Sequence, residues 1–267
     1  MSTLRVGLGT YRSFDIPLDG PAAAELALVL KAFHAGGGRF VDTSPMYGRA
    51  EAVLGRLSAQ LGVNGSLQLA TKVWIKGRTE GKRQMELSIA KLGRRKGVEL
   101  MQVHNLLDWQ AHWPTLEAFK AEGRIGAIGI THYQDDAIED LVTVLRAKKL
   151  DWVQFPYNMG RRKAEKRLMD VAADYGVRCI ANEPFGQGAL FAAVKGKPLP
   201  AWVGAELGIR SWAQYFLLWI LGEPRISMVI PATAKLAHFQ DWWPAAAAAR
   251  LPDPGQRERM AQDLAAL

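Results

Sequence analysis

Four side chains that titrate or carry charge stand at or just beyond the ends of short apolar runs: Asp42, Tyr47, Lys72 and His104. A tyrosine hydroxyl is a weak acid with an ordinary pKa of about 10, so at neutral pH it holds its proton. A nearby ammonium favours the phenolate, and a carboxylate holds that ammonium in place and charged. Asp42, Lys72 and Tyr47 together make a general acid able to hand a proton to a developing alkoxide. His104 adds a hydrogen bond to the same oxygen, as an oxyanion-hole donor does. None of these groups carries a hydride or electrons, so a redox cofactor has to supply them.

That chemistry requires a fold that gathers residues 42 to 104 at one point. Eight short runs read as strands, at 4–8, 39–42, 67–71, 99–103, 125–130, 151–155, 177–181 and 226–230. Helical periodicity fills the segments 22–35, 50–61, 81–92, 113–122, 135–147, 163–175, 211–221 and 234–249. Leu26, Val29, Leu30 and Phe33, for example, fall at i, i+3, i+4 and i+7 on one helix face. Eight strands alternating with eight helices over about 250 residues predict an α/β chain folded as one (β/α)8 TIM barrel. A doubly wound sheet would leave units over. The whole of 1–267 reads as one domain, with a long loop at about 183–210 and a tail at 252–267 that forms a turn and an extra C-terminal helix. Barrel enzymes carry their chemistry at the C-terminal ends of the strands. Asp42, Lys72 and His104 stand at such ends, as do Thr131-His132, Gln154, Asn182-Glu183 and Pro231-Ala-Thr233.

Composition narrows the function classes. The 267 residues carry 34 Lys+Arg against 26 Asp+Glu, a net +8 without a long basic run, which favours a small anionic ligand over a nucleic-acid stripe. The run 160–167 reads as a solvated helix face. Cys179 is the sole cysteine, which excludes an intramolecular disulfide framework and a Cys-rich zinc site; alternation buries it as an inert thiol. The five histidines are dispersed without ligand spacing, so no metal is expected. The N-terminus lacks an apolar signal region, and the apolar run 215–221 falls short of the ~20 residues of a membrane span. A soluble cytoplasmic protein is expected. Gly7-Leu-Gly-Thr-Tyr-Arg12 lacks the third glycine of a dinucleotide fingerprint and reads as the turn after strand one, with Gly9, Thr10 and Tyr11 along the cofactor channel. Trp74, Trp109, Trp113 and Tyr133 follow strands three to five and suit an apolar substrate wall, with Trp74, Trp109 and Tyr133 the expected contacts. Trp212 and Trp219 are expected to pack on the barrel, and Trp242-Trp243 either to do so or to face a ligand.

The segments Asp42-Thr-Ser-Pro-Met-Tyr-Gly48, Ala70-Thr-Lys-Val73, Gln102-Val-His-Asn105, Ile128-Gly-Ile-Thr-His-Tyr133, Val153-Gln-Phe-Pro-Tyr-Asn158 and Val229-Ile-Pro-Ala-Thr233 together resemble the aldo-keto reductase superfamily. The resemblance implies a TIM barrel that binds extended NADP(H) at its C-terminal mouth and a tetrad at Asp42, Tyr47, Lys72 and His104. It implies that Thr131, His132 and Gln154 hold the nicotinamide carboxamide, Thr131-His132 standing where the family has Ser-Asn. Asn182 occupies the place of an aromatic that stacks on the nicotinamide. Phe185, Gly186, Gly188 and Leu190 match the loop over the pyrophosphate. Beyond strand eight, Pro231, Ala232 and Asp241 fall among cofactor positions, and Thr233, Lys235 and His238 match the grip on the adenosine 2′-phosphate. Trp242 replaces an asparagine near the adenine. The family's N-terminal hairpin is expected to be missing or vestigial.

The expected activity is reversible, NADPH-preferring reduction of an aldehyde or ketone, with Tyr47 as proton donor, a small-molecule carbonyl or alcohol as substrate and no nucleic-acid or membrane partner. Two rival readings are a cofactor-binding regulatory or scaffold barrel with little turnover, and a Schiff-base lyase or aldolase using Lys72.

Overall fold

The computed structural model describes residues 4–247 and 250–267. Eight parallel strands follow one another in chain order: β1 (Leu8–Gly9), β2 (Phe40–Asp42), β3 (Gln68–Val73), β4 (Val98–His104), β5 (Ile125–Thr131), β6 (Trp152–Pro156), β7 (Arg178–Asn182) and β8 (Ile226–Val229). The sheet closes on itself where Gly7 N donates to Val229 O and Gly9 N to Pro231 O, each at 2.8 Å. The single (β/α)8 barrel expected from the alternation is therefore present.

The helices are α1 (Pro21–Ala35), α2 (Ala50–Gln60), α3 (Arg78–Lys91), α4 (Trp109–Ala121), α5 (Ile138–Ala147), α6 (Leu168–Asp174), α7 (Ala189–Ala193), α8 (Ala201–Leu207), α9 (Trp212–Leu221), α10 (Leu236–Trp242) and α11 (Pro254–Ala265). The segment 183–210 is not one loop: it carries α7 and α8, pinned by the buried Leu190, Val203 and Leu207. The helix expected over 163–175 breaks at Arg167 into a 3-10 turn, Lys163–Lys166, and α6. There Glu165 accepts from Tyr157 and Arg162, which draws the turn away from helical continuation. The basic side chains of that stretch are largely ion-paired: Arg161 with Asp135 and Glu183, Arg162 with Glu165, Lys163 with Asp136 and Arg167 with Glu139. The helix expected to reach residue 249 ends as α10 followed by a 3-10 turn, Trp243–Ala247, and its last two residues lie outside the described residues.

Strand alternation sorts the apolar residues into two clusters. Val41, Leu69, Met101, Val103, Ile128, Val153, Cys179 and Val229 belong to the larger one, against the helices. Burial pushes the Cys179 thiol up to about 12, so it is chemically quiet. Phe40, Ala70, Leu100, Ala127, Trp152, Ile180, Met228 and Ile230 form the second cluster, inside the barrel. Two residues further along β2, β3, β4 and β6, the same inner side carries Asp42, Lys72, Gln102 and Gln154. The barrel is thus apolar at its base and polar at its C-terminal end. Gly129 makes that layer possible, since a Cβ there would stand 2.9 Å from Gln102 Cγ.

The C-terminal helix is built in. Asp253 and Gln256 form a capping box at its start. Tyr215 Oη of the buried α9 donates to Met260 O at 2.6 Å, and Trp219 Nε1 to Arg257 O at 3.0 Å. Among the described residues no helix is long and apolar enough to cross a membrane.

Entry into β4 depends on Gly97, whose φ is +119° and whose added Cβ would lie 1.8 Å from Arg124 O. Gly97→Ala is expected to cost about 2–4 kcal/mol. Urea unfolding should show a lowered midpoint with an unchanged slope, and an unshifted midpoint would refute the claim.

Candidate active site

At the polar end of the barrel, Lys72 Nζ donates to Asp42 Oδ2 and to Thr43 O, both at 2.7 Å. Gln102 Nε2 donates to Asp42 Oδ1 at 3.1 Å and to Gln154 Oε1 at 2.9 Å. The charged side chains are sealed off, at 0% and 3% exposure for Lys72 and Asp42. Burial pushes Asp42 up and Lys72 down, and in each case the partner's charge and hydrogen bond oppose the shift.

Tyr47 sits in the β2–α2 loop, its ring centroid 5.0 Å from Lys72 Nζ, 5.0 Å from the Tyr11 ring and 5.9 Å from His104. Part of Tyr47 meets the cavity, yet the protein surrounds it so deeply that burial drives its hydroxyl well above the usual phenol range; the charge of Asp42 adds to this. Lys72, expected to favour the phenolate, is turned to other partners. Its ammonium is committed to Asp42 and Thr43 and lies over the tyrosine ring, with no hydrogen bond to the hydroxyl. Tyr47 holds its proton firmly. Burial also pushes His104 down to about 2, helped by the charges of Lys72 and His132, so its imidazole is neutral. Its Nδ1 lies 3.0 Å from Ser44 Oγ.

Tyr47 and His104 meet at the wall of a cavity of about 680 Å³ over the strand ends. Of the residues expected there, Gly9, Thr10, Tyr11, Asp42, Trp74, Thr131, Tyr133, Gln154, Asn182, Phe185, Gly188 and Ala232 line it as well. Lys72 stands behind the wall. Pro231, Thr233, Gly186 and Leu190 support neighbouring backbone without lining the cavity, and Lys235, His238 and Asp241 are exposed beyond Ala232.

Several expectations change. His132 points away: its ring stacks on Tyr133 at 5.7 Å and its Nδ1 accepts from Gln134 N at 3.1 Å, because the residue after the inward Thr131 faces outward. Trp109 does not line the cavity. Helix α4 begins one turn earlier than the periodicity suggested, so Trp109 and Trp113 stand at i and i+4 and pack edge to face at 6.2 Å. Trp242 is 2% exposed, packed on Phe239 and Trp243, and presents nothing to an adenine.

The sequence reading missed Arg12, Met46, Asn105, Pro184, Gln187, Phe191 and Ile230 on the cavity wall and placed Glu183 at a strand end without a role. Ile230 follows Met228 by two, so strand register could have found it, whereas Asn105 directly follows the inward His104 and alternation would turn it away. Arg12, Asn105, Glu183 and Gln187 take left-handed backbone, which no sequence pattern marked. Arg161, also missed, joins three loops: it donates to Tyr133 O at 2.9 Å and pairs with Asp135 at 2.8 Å and Glu183 at 2.7 Å.

A model of the aldo/keto reductase family matches residues 5–254. The chain belongs to that family. Among its relatives are the uncharacterized oxidoreductase YtbE of Bacillus subtilis (strain 168), 29% identical over 238 residues, which are 86% of this chain and 78% of that protein. The aldo-keto reductase YhdN of the same organism is 26% identical over 204 residues, 70% of this chain and 60% of that protein. An aldo/keto reductase from Klebsiella pneumoniae, solved in complex with NADP and acetate, superposes with a TM-score of 0.79 at 20% identity, covering 97% of this chain and 91% of that one. Another structure from that organism, in complex with NADPH, gives 0.80 at 20% identity over 97% and 90%. These likenesses show the shared barrel. The enzyme is an oxidoreductase.

The buried pair makes a stability prediction for the enzyme. Lys72→Met leaves Asp42 buried without its counter-ion and should cost about 3–5 kcal/mol at neutral pH. In the variant Asp42's folded pKa stands further above its unfolded value. Its stabilising contribution is therefore present at low pH and lost as pH rises through that raised pKa, so the deficit shrinks on acidification. Urea titrations of both proteins across acidic and neutral pH check this, and a pH-independent deficit would contradict it.

Proposed function

We propose that the enzyme reduces a small aldehyde or ketone to an alcohol, reversibly, with NADPH preferred over NADH. The observation carrying this reading is that Tyr47, firmly protonated, and His104, neutral, flank one cavity that Asp42 also lines, with Lys72 locked to Asp42 behind the wall. When bound, the nicotinamide cofactor supplies the hydride. Tyr47 gives its proton to the carbonyl oxygen and regains it in the reverse direction. His104 orients that oxygen by a hydrogen bond and does not compete as an acid.

The residues present suit a dinucleotide. Thr10 Oγ1, Asn105 Oδ1 and Asn182 Oδ1 are buried polar atoms without a partner, all on residues that line the cavity. Such atoms call for a polar ligand. Thr131 and Gln154 stand on the same wall, and in this reading they hold the carboxamide. Lys72 as a Schiff-base nucleophile loses support, since its nitrogen is absent from the cavity wall and held by two oxygens.

The first amides of α10 are already used: Lys235 N donates to Thr233 Oγ1 at 3.1 Å and Leu236 N to Glu25 Oε1 at 2.8 Å. The Lys235 and His238 side chains remain to receive a 2′-phosphate.

Oxidation of NADPH and of NADH against a panel of aldehydes and ketones tests the reading. Tyr47→Phe should lower kcat by at least ~100-fold with NADPH affinity near wild type. Tight cofactor binding with no turnover of any carbonyl would instead favour a regulatory barrel. Lys235→Ala should weaken NADPH roughly ten- to hundredfold and NADH far less. Equal losses for both cofactors would mean that Lys235 does not read the phosphate.

A further inference from the structure

Three consecutive residues at the end of β2 align the catalytic groups. Asp42 and Thr43 hold Lys72, and Ser44 meets His104. Ser44 is wholly buried, and its Oγ accepts the Met46 N–H at 3.3 Å while lying 3.0 Å from His104 Nδ1. Among the described residues no other acceptor reaches the Ser44 hydroxyl proton.

Proton accounting then leaves one consistent arrangement. Were Nδ1 protonated, Ser44 Oγ would accept from both Met46 and His104, and its own proton would be buried unpaired, which protein interiors avoid. With Nδ1 as acceptor every group is satisfied. The chain runs from Met46 N–H to Ser44 Oγ, then from Ser44 Oγ–H to Nδ1, and the sole ring proton is left on Nε2. Tyr47 stands edge-on to the imidazole at 5.9 Å and Trp74 lies 6.3 Å from it, so the ring is also confined laterally.

We infer that Ser44 is a positioning residue: its hydroxyl donates to His104 Nδ1, holds the imidazole as the Nε2–H tautomer and thereby aims the ring's one N–H at the carbonyl oxygen. The use of that tautomer rests on the carbonyl-reductase reading, whereas the tautomer itself does not.

Imidazole 15N NMR of the free protein decides the tautomer, with the His104 signals assigned by their loss in His104→Gln. Wild type should show a protonated Nε2 and an accepting Nδ1. In Ser44→Ala the Nδ1 resonance should lose its hydrogen-bond shift and the two tautomers should mix. Its kcat for carbonyl reduction should fall about tenfold, with NADPH affinity unchanged. Ser44→Thr, which keeps the hydroxyl, should retain most of the rate. A protonated Nδ1 in wild type, or unchanged 15N signals and kcat in Ser44→Ala, would overturn the inference. Failure of wild type to reduce any carbonyl would sink the reductase reading and leave the NMR result standing.

Discussion

The ion pair between Lys72 and Asp42 governs the upper half of this barrel, because two charges taken out of water must find all their partners inside the protein. The carboxylate is met by Lys72 on one oxygen and Gln102 on the other, and the ammonium has a second acceptor in Thr43 O. Gln102 in turn donates to Gln154, so β2, β3, β4 and β6 are cross-linked through side chains at one level. The layer beneath is apolar from wall to wall, which keeps water from entering below and strengthens each polar contact above.

The same desolvation sets the chemistry. Burial is the largest cause of every shift among Asp42, Tyr47, Lys72 and His104, and it favours the neutral form of Tyr47 and of His104. A phenol that stays protonated and an imidazole that stays neutral are the two properties that the proposed carbonyl reduction asks of them. The lysine's role is thereby altered from the simple picture of a cation beside a phenol. It anchors Asp42 and packs over the Tyr47 ring, fixing where that ring stands.

Around this rigid layer the mouth is shaped by loops that need bracing. Arg161 ties the loops after β5, β6 and β7 through Tyr133 O, Asp135 and Glu183, and Glu183 and Gln187 hold left-handed backbone beside the cavity. Asn158 Nδ2 donates to Glu183 O at 2.8 Å, adding a second tie to the same turn. Strained loop positions persist where surrounding contacts over-determine them, and here they frame the cavity.

Much of this was legible in the sequence. Period-two alternation followed by helical periodicity, repeated eight times, specifies a closed parallel barrel, and strand ends carrying Asp42, Lys72 and His104 mark its chemical face. These are local signals, readable residue by residue. Side-chain direction past the strand ends was not, which is why His132 turned out to face away and Trp109 to pack on Trp113. The start of α4 moved by one turn, and one turn is enough to carry an aromatic from a cavity wall into a helix face. Trp242 likewise gave no sign of joining the core, because an aromatic in a helix suits either burial or a ligand equally well. Sequence alone determined the barrel and the placing of Asp42, Lys72 and His104 at its C-terminal strand ends, since both follow from spacing along the chain. Tertiary structure alone decided the protonation states, the Arg161 brace and the contact between Ser44 and His104, because each depends on burial and on distances between segments that no local pattern encodes.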